Sequence, residues 1–261
     1  MAILNATLPF APWMQSAGRK LPGVMPLDPA DWLLVTDAYS AQMTERARLL
    51  AERQADVLAV LPQAEAATSE LYDMVLPRLA ALGFTMGQDT ATRPDGVTVA
   101  LDPARPLWTL GHLLQEDFCI LQKPEGADEH ILTAAVLCFP SGWFLRQKLG
   151  KALLRIHAPV AAYDPAMAAR VQRMFDLIRP EQPLWRANLL RHDDPKLYHP
   201  REEFVTLLSQ RDGRYLRTEK QCLLKLPQTG AVVFSIHTVV VPIATLAPEQ
   251  QQVLSTLIRH H

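Results

Sequence analysis

"YLRTEKQCLLKLPQTGAVVFSIHT", residues 215–238, decides the architecture. Its second half is an apolar strand, and its first half is a strand of equal length loaded with polar side chains. If "PQTG" (227–230) is the loop, Leu226 faces Ala231. Glu219 then lies opposite Thr238, Lys220 opposite His237 and Gln221 opposite Ile236. Side chains alternate between the two faces of a sheet. One face therefore carries Arg217, Glu219, Gln221 and Leu223 with Phe234, Ile236 and Thr238. The other carries Lys220, Cys222 and Leu224 with Val233, Ser235 and His237. A carboxylate among apolar side chains is costly unless it is paired. Arg217, on the same face as Glu219, is the available partner. Two readings follow: a structural ion pair or solvated ladder, or a cavity wall where Glu219 receives a cationic amine or relays a proton.

Upstream, "QEDFCILQK" (115–123) and "HILTAAVLCFP" (130–140) read as a second hairpin, and "PLWRANLLRH" (183–192) as a further strand. "RPDG" (93–96) is a turn, followed by the short strand "VTVAL". Helical periodicity runs from Asp31 to Pro62, and again from Ser69, as a cap, to Gly83, interrupted at Pro77. "YDPAMAARVQRMFDLIRP" (163–180) is a helix with Asp164 as N-cap, Pro165 at N1 and Met167, Val171, Met174, Phe175 and Ile178 as its buried stripe. "PEQQQVLSTLIRHH" closes the chain as a helix. The proline-rich residues 1–30 lack periodicity and read as an extended N-terminal segment. Helices, a β-rich middle and a terminal helix predict an α+β fold, an antiparallel sheet with its helices gathered to one side. No composition break divides residues 1–261, so a single domain is expected.

The bulk numbers exclude several classes of function. Of 261 residues, 49% are hydrophobic and 20% charged, with a net charge of −1. That balance gives no electrostatic footprint for nucleic acid or an anionic membrane. No apolar run reaches the ~18 residues of a membrane span, and no basic-then-apolar leader is visible, so the cytoplasm is expected. The 3 cysteines, Cys119, Cys138 and Cys222, are far apart, which argues against a disulfide framework and against a CxxC metal site. No GxGxxG, Walker A, GxSxG or HExxH motif occurs.

Among the histidines, His157 stands out. It ends the apolar run "LLRIH", and the following Ala-Pro disfavours continuation of a helix. It is either a satisfied, half-buried histidine or a ligand for a buried metal or haem iron. Trp143 and Lys148 precede it. They are either a core lid and a solvated charge, or the walls of a planar cofactor, with Lys148 pairing a carboxylate.

Five stretches together resemble the haem-dependent oxidative N-demethylase-like family. They are "PLDPADWLLVTDAYSAQMTERARLLAER", "QEDFCIL", "FPSGWFLRQKLGKALLRIHAPV", "WRANLL" and "RTEKQCLLKLPQTGAVVFSIHTVVVPI", which occur in family order from residue 26 to residue 243. The resemblance implies a PAS-like antiparallel sheet with flanking helices around haem b. It implies a monooxygenase that removes a methyl group from a small secondary amine such as dimethylamine, releasing a primary amine and formaldehyde. O2 would be consumed, with electrons from NAD(P)H through a flavin or iron–sulfur reductase partner. Three scattered cysteines cannot themselves ligate a cluster needing four thiolates. By this resemblance His157 is the iron ligand, and Trp143, Lys148, Arg186 and Asn188 line the cofactor. Glu219, Arg217 and Gln221 are the catalytic candidates. A non-catalytic PAS-like haem or small-ligand sensor is the rival reading. The chain departs from the family pattern at Lys220, where arginine is usual, at Leu189, where tryptophan is usual, and at Ala161, where proline is usual.

Overall fold

The computed structural model describes residues 2–14, 23–159, 163–205 and 213–258. Ala161 therefore lies outside the described residues, as do residues 15–22 of the N-terminal segment.

The chain opens with β1 (Met25–Pro26), then α1 (Tyr39–Glu52), α2 (Gln54–Val57), β2 (Leu58–Val60) and α3 (Glu65–Val75). A small meander follows, β3 (Thr85–Met86), β4 (Thr90–Thr92) and β5 (Thr98–Ala100), then α4 (Pro106–Leu113). Next come β6 (Asp117–Gln122), β7 (Ile131–Val136), α5 (Leu145–Lys148), α6 (Leu153–His157) and α7 (Pro165–Leu177). The chain finishes with β8 (Leu184–Ala187), β9 (Leu190–His192), β10 (Tyr215–Lys225), β11 (Val232–Pro242) and α8 (Pro248–Ile258).

The β10–β11 hairpin is the spine. Glu219 pairs with Thr238, Lys220 with His237 and Gln221 with Ile236. The loop closes with the Leu226 amide donating to the Ala231 carbonyl at 2.8 Å, and Gly230 takes a positive φ of 69°. This is the register that the loop spacing predicts. The Glu70 carboxylate on α3 accepts the Gln228 and Thr229 amides at 2.6 and 2.8 Å, pinning the loop to the helical layer. Around the spine the antiparallel sheet runs β1-β8-β10-β11-β6-β7-β2, with β9 also paired to β10.

Alternation along the strands divides the interior. Phe118, Ile120, Cys222, Leu224 and Val233 join one apolar cluster, with residues of α1, α3 and α4. Cys119, Leu121, Leu223, Val232 and Ile236 join a second, with Leu153 of α6 and Phe175 of α7. Neighbouring residues of one strand thus belong to opposite layers, as a doubly covered sheet requires.

Several expectations are corrected. Helices cover both faces, not one, because β6, β10 and β11 are apolar on both. The first helix begins at Tyr39; Pro29–Asp31 is a 3-10 turn capped by the Asp28 side chain. Its expected end is a strand, β2, which pairs with β7. The second helix starts at Glu65, with Ser69 inside it, and at Pro77 it gives way to 3-10 turns that end on Gly83 at φ 86°. The strand expected over 183–192 is split into β8 and β9. Part of the N-terminal segment is also ordered into the sheet, since Met25 pairs with Trp185. Asp164 caps α7 as expected, accepting the Met167 amide at 2.7 Å. No helix among the described residues is long and apolar enough to cross a membrane.

Candidate functional site

A cavity of about 770 Å³ lies between the sheet and the α6–α7 layer. That is within the ~300–1,000 Å³ typical of small-molecule and cofactor sites. Its floor is the predicted polar face of the hairpin: Glu219, Gln221 and Leu223 with Phe234 and Ile236. Its opposite wall carries Ile156, His157 and Tyr163 together with Val171, Met174 and Phe175 of α7. Trp143 and Lys148 border it at one side, and Arg186 and Asn188 at another. Arg217 stands behind the floor, outside the lining.

The floor is a hydrogen-bonded network. Glu219 Oε1 accepts from Arg217 Nη2 at 3.2 Å and Nε at 3.3 Å. Its Oε2 accepts from Asn188 Nδ2 at 2.7 Å and Gln221 Nε2 at 3.1 Å. The Asn188 side chain also takes the Glu219 amide at 2.8 Å. Arg217 is fixed in turn by the carbonyls of Phe139 at 2.7 Å and Leu197 at 2.9 Å. Both carboxylate oxygens thus carry two donors each, about their full acceptor capacity. A cationic amine reaches Glu219 only by displacing Gln221 or Asn188.

On the opposite wall, His157 Nδ1 lies 2.9 Å from the Leu153 carbonyl. A carbonyl only accepts, so Nδ1 carries the proton and Nε2 keeps its lone pair. Burial lowers the His157 pKa, the Leu153 carbonyl opposing that effect. A neutral imidazole with one nitrogen oriented by a backbone carbonyl is the state a metal ligand needs. The ring stacks on Tyr163 at 4.2 Å and 18°. Lys148 is already engaged: it donates to the Ile156 carbonyl, and to Glu203 at 2.6 Å. Lys148 and Arg155 together hold the Glu203 carboxyl down at about 2, Arg155 being the larger influence.

These residues fit a haem. A large cavity has apolar walls, one neutral imidazole and cationic side chains at its border. Among the described residues no cluster of three or more His, Cys, Asp or Glu could hold a metal ion by protein ligands alone. A haem would need no such cluster, because the macrocycle brings its own nitrogens and a single side chain such as His157 would suffice to hold the iron.

Two of the departures from the family pattern lie away from the cavity. Lys220 is on the other face of the sheet, its ammonium 5.2 Å from the Trp185 ring and bonded to the Asp31 carbonyl. Leu189 packs against the apolar cluster around Trp13 and Leu216. Sequence reasoning missed Tyr163, whose buried hydroxyl has no partner among the described residues. It also missed the buried pair of His237 and Glu116 at 2.9 Å, on the face away from the cavity. The signal for that pair was available, since Glu116 directly precedes an apolar strand and His237 sits within another.

Next to the floor, His192 is buried and its pKa is pushed down to about 4, by burial first and by the Arg217 guanidinium second. The unfolded chain takes up a proton near pH ~6.5 that the folded chain refuses. Stability is therefore full above that pH and declines as pH falls towards 4, by about 2–3 kcal/mol for this residue. Urea titrations at a series of pH values should show the decline shrink by that amount in His192→Gln. An unchanged slope would place the proton uptake elsewhere.

Residues 23–261 match the family model described as haem-dependent oxidative N-demethylase, alpha subunit-like.

Proposed function

The chain belongs to the haem-dependent oxidative N-demethylase, alpha subunit-like, family, and we propose that it is the haem-b-binding subunit of a monooxygenase acting on a small secondary amine. One observation carries the reading. The polar floor of Glu219, Gln221 and Asn188 and the neutral His157 border the same cavity, from opposite sides. In this reading His157 holds the iron through Nε2, and Trp143 and the apolar side chains of α7 enclose the macrocycle. Haem, when bound, supplies the oxygen-activating chemistry. Overall, the amine, O2 and a pair of electrons and protons give the demethylated amine, formaldehyde and water. The electrons come from a separate reductase, for which NAD(P)H is the expected source.

The chain's own work is binding and orientation. Gln221 presents its amide towards the cavity, with its NH2 group on Glu219, which sets the negative end of the floor. Arg217 balances that charge from behind and keeps the floor rigid. An ammonium-bearing substrate is drawn to Glu219 and hydrogen-bonds there in exchange for Gln221. Tyr163 holds the plane of the His157 ring. The apolar walls exclude water, which strengthens each of these interactions.

The test is spectroscopic first. Wild-type protein supplied with haem is expected to show a Soret band, and His157→Ala to lose it or to shift it with a large loss of affinity. A wild type with no Soret band ends the haem reading, and an unchanged band in the variant ends the assignment of His157. Formaldehyde release from dimethylamine with a generic reductase then separates an enzyme from a sensor.

A further inference from the structure

The acids bordering the cavity are Glu202, Glu203 and Glu219. Each already has a cation. Glu219 has Arg217 at 3.2 Å. Glu203 has Lys148 at 2.6 Å and Arg155 at 2.8 Å, and Glu202 has Arg146. The cations that border the cavity are Lys148, Arg186 and Arg201. Lys148 is thereby matched, whereas neither arginine has a carboxylate in ion-pair reach among the described residues; Arg201 lies against Gly142 outside the sheet, and Arg186 stands in the sheet opposite Gln221.

Its position is fixed by the sheet. Arg186 on β8 pairs with Gln221 on β10, which aims it onto the cavity face. Nη1 donates to Gln221 Oε1 at 3.1 Å. The other end of that amide donates to Glu219 Oε2 at 3.1 Å. Gln221 thus stands between the guanidinium and the acid that could have paired with it. Arg186 Nε is buried with no acceptor among the described residues. A guanidinium does not shed its proton in a protein, and a buried charged donor left unmatched is expensive. Burial presses on its charge, with Glu219 offsetting only part. Nε is closed off from the cavity, but the guanidinium borders it with no carboxylate beside it among the described residues, so the counter-charge is one that an occupant of the cavity can supply.

We propose that Arg186 is the carboxylate anchor of this cavity, binding an acid group of the molecule that fills it. The role falls to Arg186, which the sheet holds at the floor beside Gln221, and not to Lys148, whose ammonium is engaged by Glu203, or to Arg201, which lies against Gly142 outside the sheet. The inference rests on the haem reading for one of its two sources, the propionate side chains of the macrocycle. The other source is the carboxylate of an N-methylated amino acid acting as the secondary-amine substrate.

The experiment uses Arg186→Gln, with Arg186→Lys as the variant that keeps the charge but loses the planar fork. In the first arm, apo-protein is titrated with metal-free protoporphyrin IX and with its dimethyl ester, following fluorescence. If propionate is the source, wild type prefers the diacid by roughly ten- to a hundredfold. Arg186→Gln brings the two to within about threefold, and Arg186→Lys falls between. In the second arm, haem-loaded protein is titrated with N-methylglycine and with dimethylamine, following absorbance; calorimetry on apo-protein replaces this if haem does not load. If substrate carboxylate is the source, N-methylglycine binds wild type more tightly by a similar factor, and Arg186→Gln removes the advantage. Circular dichroism checks folding, and Arg186→Lys decides if the glutamine variant is unfolded. Acid selectivity lost on mutation in either arm supports the site and names its source, whereas selectivity unaltered in both overturns it. A wild type that binds no haem but keeps Arg186-dependent acid selectivity sinks the haem reading and leaves this site standing. A haem-loaded protein with no such selectivity does the reverse.

Discussion

Arg46→Met is expected to lower the unfolding free energy by about 3–5 kcal/mol. Arg46 has no solvent exposure, and its Nη1 lies 2.6 Å from Asp117 Oδ1, itself 1% exposed. Three further guanidinium hydrogens go to the carbonyls of Gly111, Gln115 and Glu116 at 2.9–3.2 Å. Asp117 in turn accepts the amides of Cys138 at 2.7 Å and Phe139 at 2.8 Å. Removing the guanidinium leaves a carboxylate in the core with no counter-charge and several carbonyls without a donor, and that combination makes the loss large. Loss of this size corresponds to a fall in Tm of roughly 6–20 °C for a chain of this length. Arg46→Met/Asp117→Asn should recover about 1–3 kcal/mol of it, because the amide oxygen still accepts a backbone N–H while the stranded charge is gone. Urea unfolding of the four proteins in the cycle measures this. An Arg46→Met cost under about 1 kcal/mol would show that Asp117 does not depend on the guanidinium.

The pair also bears on the cavity. Phe139, whose amide is held by Asp117, offers its carbonyl to Arg217. Arg217 holds Glu219, and Glu219 holds Asn188 and Gln221. One chain of charge-assisted hydrogen bonds therefore runs from α1, through the sheet, to the cavity floor. The links span 2.6–3.3 Å and are buried as far as Glu219, where Asn188 and Gln221 open onto the cavity, so the core pair and the floor share one polar network.

How much of this could be read from the residues depends on the kind of pattern. The hairpin register was legible because a short turn and strict alternation leave one pairing that separates Phe234 and Ile236 from Val233 and Ser235. The helix α7 was legible because Asp164 and Pro165 announce its start. The helix α4, "PLWTLGHL", was not legible: it is apolar almost all round, so it shows no stripe, and Leu107, Leu110 and Leu113 are each buried. The strand β2 is only three residues long and continues directly from helical turns, so no break marks it. At the site, the polar floor could be found because Glu219 and Gln221 interrupt an apolar face. Of the opposite wall only His157 could. Val171 and Met174 read as core stripe residues, and a side chain that lines a cavity is chosen from the same types as one that fills a core. The partners of Lys148 were also invisible, since Glu203 is 55 residues away in sequence and no local pattern ties the two.

Arg217→Ala is expected to cost a comparable 3–5 kcal/mol or so, and to do so at the cavity itself. Arg217 is 1% exposed. Its loss takes the counter-charge from Glu219 and the donor from two carbonyls, of Phe139 and Leu197. Arg217→Lys should restore little, because an ammonium cannot serve Glu219 and both carbonyls in the planar geometry that the guanidinium fits. The informative variant is Arg217→Ala/Glu219→Gln. Neutralising the acid removes the stranded charge while its amide oxygen still accepts from Asn188 or Gln221. The double variant should thus be more stable than Arg217→Ala alone by about 1–3 kcal/mol. Glu219→Gln alone leaves Arg217 as the uncompensated partner, so it too should destabilise. If the two substitutions simply add, Arg217 and Glu219 are not coupled, and the floor is held by its backbone contacts instead. If they couple as expected, the charge on Glu219 can be removed without collapsing the floor. Amine affinity in that double variant then reads the acid's part in binding separately from its part in stability.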